Sequence, residues 1–528
     1  MTVPLTSLFR LALVRVAASL LVGALVASCA TSTEAPQVQG RGPSVAADVN
    51  IERVVLQAYR AIGDRHLYEP NFRTLSAETY RGFASADPAL SLETSDTSFT
   101  VKRDGREVMT KSTPANTSDG RAWGGMLAEL LAGSIDSSTA LQESDRQALV
   151  RKAMAATTKQ LDRNSRYADP EEARDNRFQR DGGGGIGITI ERTEDKKIMI
   201  RALQDGSPAG KAGLQIGDQI LAIDGKPMVD SPLSDVVLNL RGSVGTPLLL
   251  TVLRPSQGRE LTVGMKRGRI IPTTVVYERR GDLALIALSG FNTATTDNLR
   301  AAIDKARAEI GSDLAGLIID MRGNRGGLLD QAQAVAELFI GDGTIFSTQG
   351  RHPDSRRTYK SAAARKVADL PVVVLMNGGS ASAAEIVAAA LQDRGRAVVV
   401  GTTSYGKGTV QTVVRLPNEG ELILTWSRLQ APSGYTWNEL GVLPSICTSK
   451  VGDASQVGAS VDASQGSLMR WHALRNPTQQ EVADLRKICP PGDKSPERDI
   501  EIASQILRDR ALYAHAVQMG THQAAARP

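Results

Sequence analysis

The sequence predicts a multidomain α+β protein, and three observations lead there. At 528 residues the chain is too long for one hydrophobic core. Its apolar periodicity changes along the way: Ile51, Val54, Val55, Ala58 and Ile62 fall on one helix face, alternation typical of a strand follows from Ile186, and later come short apolar runs separated by helix-sized segments. Four glycines, Gly182 to Gly185, punctuate the first of these changes. With 41% hydrophobic and 23% charged residues the chain has the composition of a core-bearing protein. A net charge of +5 is small for this length, and no Lys/Arg run is interleaved with aromatics, so nucleic acid is excluded as an expected partner.

The amino terminus reads as an export signal: Arg10 and Arg15 precede an apolar stretch that ends in small residues before Cys29. The uncharged run from Val16 to Cys29 is 14 residues, short of the ~20 that span a bilayer. The string Leu25-Val26-Ala27-Ser28-Cys29 resembles a bacterial lipobox, with plain cleavage as the alternative. That resemblance implies that residues 1–28 are removed and that Cys29 is acylated, anchoring the protein on the periplasmic face of a membrane. Ala30 after the cysteine resembles the outer-membrane pattern. Residues 29–48 read as a flexible tether.

Once Cys29 is assigned, Cys447 and Cys489 remain, and an oxidising compartment favours a disulfide between them over two buried thiols. His66, His352, His472, His515 and His522 are scattered, so neither a metal site nor a cofactor is expected.

Residues 49–180 are expected to form a helical domain, with a polar loop or short hairpin within 90–120 and no catalytic pattern. Residues 181–268 form a β-rich unit, with strand signals near 186–190, 198–202, 219–223, 247–253 and 260–265. Residues 269–447 alternate short apolar strands with helices and read as an α/β core. Residues 448–528 read as a Gly/Ser/Ala-rich linker and a helical appendage, with disordered end residues from about 518.

Helix-flanked sheets carry their chemistry at strand-to-helix turns. After the run 372–376 comes Asn377-Gly378-Gly379-Ser380-Ala381-Ser382-Ala383-Ala384-Glu385-Ile386. Small residues there allow a serine, Ser382 or Ser380, to sit at a helix start where amides and the helix dipole favour an oxyanion. An ordinary serine N-cap is the alternative. A serine nucleophile needs a base, and the one histidine of the core, His352, lies in a polar, arginine-rich segment. Lys407, flanked by Gly406 and Gly408 after the strand 397–400, can serve if burial keeps it neutral.

Two resemblances sharpen this reading. Ser207-Pro208-Ala209-Gly210-Lys211-Ala212-Gly213-Leu214 and Gly217-Asp218-Gln219-Ile220-Leu221-Ala222-Ile223-Asp224-Gly225 look like a bacterial PDZ domain. The likeness implies that Gly185, Ile186, Gly187 and Ile188 form the loop that receives a substrate carboxylate. The glycines also suit an interdomain hinge. From 182 to 444 the chain resembles the C-terminal processing peptidases, through Asp320-Met321-Arg322-Gly323-Asn324-Arg325-Gly326-Gly327, the serine turn, Leu391-Gln392-Asp393 and Tyr405-Gly406-Lys407-Gly408. The 25-residue step from Ser382 to Lys407 agrees with that family.

The second resemblance implies a ClpP/crotonase-like serine peptidase core with an inserted PDZ domain. Ser382 would be the nucleophile, Lys407 the general base, Gln411 the residue orienting the lysine, and the amides of Gly327 and Ala383 the oxyanion donors. It implies an endopeptidase acting through an acyl-enzyme on protein or peptide substrates with free C-termini, without a cofactor, and with an adaptor or homo-oligomer as possible partners. Arg325 stands where the family often has Pro and Ala384 where many members have Ser. Glu385 reads as a helix-side structural or polar-network residue rather than a catalytic acid.

Overall fold

The computed structural model describes residues 49–361, 370–451, 456–475, 477–490 and 495–521. The expected signal, tether and Cys29 lie outside these residues, as does the tail from 522 onward.

The core is a six-stranded sheet in the order Val275–Arg280, Leu283–Leu288, Gly316–Asp320, Val372–Met376, Val398–Gly401, Ile446–Cys447. The first pair is antiparallel and the others are parallel. Its central strands are apolar and buried up to Asp320 at the end of the first, because both faces are covered. Leu317, Ile319, Val372, Val374 and Met376 face the helices Thr295–Ile310, Leu329–Glu337 and Ala383–Asp393. Ile318, Val373 and Leu375 alternate to the other side, against Val457–Ala473, Pro496–Arg508 and Arg510–Gly520.

The carboxy-terminal segment is therefore the second cover of the sheet as well as an appendage. Where a linker was expected, a 17-residue helix, Val457–Ala473, buries Val457, Val461, Leu468 and Trp471 at helical spacing. The helix that follows at the end continues to Gly520, past the point where disorder was expected. Cys447 and Cys489 are joined by a disulfide with their Cα atoms 5.7 Å apart.

A second sheet runs Arg357–Ser361, Gly343–Gln349, Glu421–Gln430, Thr409–Arg415. A short strand from the amino-terminal region, Arg166–Ala168, pairs with Glu421–Gln430. The region 49–180 is thus not purely helical. Instead of a loop or hairpin it holds a three-stranded antiparallel sheet, Leu90–Thr94, Ser98–Arg103 and Arg106–Ser112, pinned by buried Phe99 and Val101. Its core is completed by Leu416, Leu422 and Leu424 from the second sheet. The β-rich unit has the strand order Arg259–Lys266, Pro247–Arg254, Gln219–Ile223, Ile198–Leu203, Ile188–Arg192, which leaves Ile188–Arg192 at an edge.

Candidate active site

The strand Val372–Met376 delivers the chain to a tight turn before the helix Ala383–Asp393. Ser380 is fully buried in that turn, with its hydroxyl donating to Met321 O at 2.8 Å and accepting from the Asn377 amide at 3.0 Å. Both bonds serve the turn itself, which removes Ser380 as the alternative nucleophile. Ser382 is partly exposed, sits at the helix N-cap, and has φ +57°, a left-handed value uncommon for a serine.

The loop after Gly316–Asp320 wraps the same turn. Asn324 O accepts from the Ala381 amide at 2.8 Å, and Asn324 Nδ2 donates to Leu288 O at 2.6 Å. Gly326 has φ +96°, and a Cβ there would lie 2.8 Å from Ser382 Cβ and 2.9 Å from the Ala383 amide nitrogen. No side chain fits between these two turns. Gly327 follows on the exposed rim. Among the described residues the amides of Gly327 and Ala383 have no protein acceptor. Both therefore remain available to an oxygen bound beside Ser382.

Lys407 lies in the turn after Val398–Gly401, half-buried. One side chain joins it to Ser382. Oε2 of the buried Glu385 accepts from the amides of Ser382 at 2.7 Å and Lys407 at 2.9 Å, while Oε1 accepts from the Gly406 amide at 2.7 Å and from the Ser404 hydroxyl. The two turns thus share a single acceptor atom. Burial pushes the Glu385 carboxyl up, against the pull of its four donors. Burial also lowers the Lys407 ammonium below its ordinary value, Arg166 adds to that effect, and Glu385 opposes it. Gln411 sits on the next strand, where its Nε2 donates to Thr409 Oγ1 at 2.9 Å, an engagement with the strand itself that sequence did not anticipate. His352 is stacked on Trp426, with ring centroids 5.4 Å apart, in the segment where an exposed loop was expected.

Gly326 was missed as a contributor to the site, whereas Glu385, read as a structural or polar-network residue, is at the centre of such a network. Gly326 carried no signal beyond the glycine run around it. Glu385 did: Ser-x-x-Glu at a helix start is the capping-box pattern, and the Glu385 bond to the Ser382 amide is one half of it.

In the β-rich unit, Gly185, Ile186, Gly187 and Ile188 border a cleft of about 610 Å³ between the edge strand Ile188–Arg192 and the helix Leu233–Leu240. Ile188, Ile190, Leu233, Val237 and Leu240 make its walls apolar. Gly187 has φ +76°, and a Cβ there would meet Ser207 Cβ at 2.4 Å. The carbonyls of Ile186 and Gly187 accept from Ala209 and Gln204, whereas among the described residues their amides have no protein acceptor. An unpaired strand edge headed by free amides is what an added peptide strand requires. At the lip, Arg241 lies over the Phe178 ring at 4.1 Å.

Residues 282–448 match the family model for peptidase family S41, and residues 176–253 match that for the PDZ domain. A carboxy-terminal-processing protease of Bartonella bacilliformis is 35% identical over 374 residues, covering 70% of this chain and 85% of the relative. A probable CtpA-like serine protease of Staphylococcus haemolyticus is 34% identical over 285 residues, covering 53% of this chain and 56% of the relative. Among solved structures, a photosystem II D1 C-terminal processing protease matches 75% of this chain and 92% of its own at 23% identity and a TM-score of 0.38. The chain belongs to peptidase family S41, as a serine-type C-terminal processing protease carrying a PDZ domain.

Proposed function

We propose that Ser382 and Lys407 form the catalytic dyad of this protease. The observation that carries the reading is the suspension of both turns from Glu385 Oε2, with the lysine turn sufficiently buried to depress its ammonium pKa. Neutral Lys407 Nζ takes the proton from Ser382 Oγ as the oxygen attacks the scissile carbonyl carbon. The tetrahedral oxyanion is received by the amides of Gly327 and Ala383. Lys407 then returns the proton to the leaving amine, and the C–N bond breaks to leave an ester on Ser382. Water, activated by the same lysine, hydrolyses that ester. Gln411, on the strand that follows the lysine turn, is read as the residue that orients Lys407, by the family resemblance.

The cleft at Gly185 to Ile188 is read as the receptor for a substrate's C-terminal carboxylate, with the tail adding a strand beside Ile188–Arg192. The amino-terminal pattern supports an exported lipoprotein anchored through Cys29 at a periplasmic membrane face.

The dyad is tested with purified Ser382→Ala, Lys407→Ala and Lys407→Arg on a fluorogenic peptide. All three should lose turnover while retaining the far-UV spectrum, because a guanidinium stays protonated and cannot act as the base. Near-normal turnover by folded Lys407→Ala would overturn the assignment of the base.

A further inference from the structure

The turn between the helix Arg146–Lys159 and the strand Arg166–Ala168 lies in the region where sequence showed no catalytic pattern, yet it holds a heavily bonded carboxylate. Asp162 Oδ1 accepts from the amides of Asn164 at 2.8 Å and Ser165 at 3.1 Å and from Thr425 Oγ1 at 2.7 Å. Its Oδ2 accepts from Ser165 Oγ and from His66 Nε2 at 2.9 Å, and the His66 ring, 2% exposed, has its other nitrogen 2.9 Å from Tyr68 O. Burial alone would push the Asp162 carboxyl up, but the bonds from His66, Ser165, Thr425 and Asn164 outweigh it and hold it well below the ordinary carboxylate range.

What this hub grips is the strand pair behind the lysine. Thr425 is held at every polar group: Oγ1 by Asp162, its amide by Ser165 Oγ at 3.0 Å, and its carbonyl by the Leu67 amide at 2.8 Å. Thr425 is the cross-strand partner of Gln411, at the bulge between Val410 and Gln411. The same turn reaches the segment that carries the lysine on both sides of it. Asn164 Nδ2 donates to Thr409 Oγ1 at 3.2 Å, the atom that also accepts from Gln411, and Arg163 Nη2 donates to Gly406 O at 3.4 Å.

We propose that the Asp162 turn is a positioning device for the peptidase reaction, fixing the path of residues 406–411 so that Lys407 stays buried and serves as the base. The proposal rests on the Ser382–Lys407 reading. Its physical content is solvent exclusion: a strand released from Asn164 and Arg163 lets water reach Nζ, which favours the ammonium and costs activity where the lysine must be neutral. The charged groups around that path are Glu385 from the serine helix, Arg166 and Arg163 from the turn and its strand, and Glu439 with Arg486 behind Gly406. Asn164→Ala changes none of these charges, so its effect on the lysine is positional.

The test is a pH–rate profile of the full chain on a short peptide lacking a PDZ-binding tail. Asn164→Ala should lower kcat roughly tenfold near pH 7 with KM unchanged, and move the acid limb up by about one pH unit, so that the deficit shrinks as pH rises. Asp162→Asn should shift the limb in the same direction and further, in protein whose far-UV spectrum is unchanged. A wild-type profile for Asn164→Ala, or a loss equal at every pH, overturns the positioning role. Turnover surviving in Lys407→Ala overturns the dyad beneath it instead, so the two failures are told apart.

Discussion

Replacing Glu385 with glutamine separates the charge of this residue from its shape. The carboxyl accepts from three backbone amides and from the Ser404 hydroxyl, bonds that favour its charged form against a burial that pushes its pKa up. Glutamine keeps one acceptor oxygen. With that oxygen in place of Oε2, the bonds to Ser382 and Lys407 survive and the new NH2 faces the Gly406 amide and Ser404 Oγ. Ser404 can turn and accept, which leaves one buried amide unpaired at about 1–3 kcal/mol. The opposite orientation leaves the amides of both Ser382 and Lys407 unpaired, roughly twice that. Relief of a buried charge offsets part of either loss, so the expected destabilisation is about 1–3 kcal/mol in urea unfolding followed by tryptophan fluorescence. The electrostatic consequence has its own sign: Glu385 holds the Lys407 pKa up, and a neutral amide releases it. The acid limb of kcat/KM should therefore move to lower pH even as the maximal rate falls. An acid limb that stays put or rises, in protein shown to be folded, would refute the idea that this carboxylate charge acts on the lysine.

Three other outcomes are expected. Lys407 has a folded pKa below its unfolded value, so between the two the unfolded chain binds more protons and stability rises with pH. Lys407→Met should be inactive yet melt higher than wild type at neutral pH, with the advantage shrinking towards ~10.4, the unfolded lysine value; equal melting curves from pH 7 to 10 would contradict the buried-amine account. Removing the disulfide with Cys447→Ala and Cys489→Ala opens a loop of 42 residues and should cost ~4 kcal/mol in chemical unfolding, with kcat on short peptides little changed in protein that remains folded. In calorimetric titration, a tail peptide with a free carboxylate should bind at least about tenfold more tightly than its amide, and Gly187→Ala should abolish the difference because its Cβ collides with Ser207; equal affinities for acid and amide would reject carboxylate capture.

The parts of the fold legible in sequence are those in which local pattern and tertiary role coincide. Val372–Met376 reads as a buried strand because all five residues are apolar and all five are buried. The serine and lysine turns were visible because tight turns demand small residues on both sides. Arg166–Ala168 was not visible: three residues carry no periodicity, and its partner lies about 255 positions away, at Glu421–Ile423. The sheet at 90–112 was hidden by polar outer faces, and Val457–Ala473 by glycines and serines that conceal a helical stripe. Asp162 escaped for a similar reason, since His66 and Thr425 lie 96 and 263 positions from it, on either side in sequence. The three bonds from Asn164 and Ser165 are those of an ordinary local turn, and the two that tie it to the rest of the fold come from distant residues.

The two layers over the central sheet are supplied at very different times. The face under Thr295–Ile310 and Ala383–Asp393 is covered by chain interleaved with the strands themselves, whereas the opposite face waits for Pro496–Arg508 and Arg510–Gly520. A chain still being synthesised therefore has its serine and lysine turns in sequence but only half of the support for the strands that carry them. Tyr513 closes the arrangement, with its hydroxyl accepting from the Val372 amide at 3.0 Å and donating to Arg396 O at 3.2 Å, just below the strand that ends at the serine. The cover of this face therefore comes later in chain order than the serine and lysine turns, and one hydroxyl of the last described helix ties it to the edge of the strand that leads to the serine.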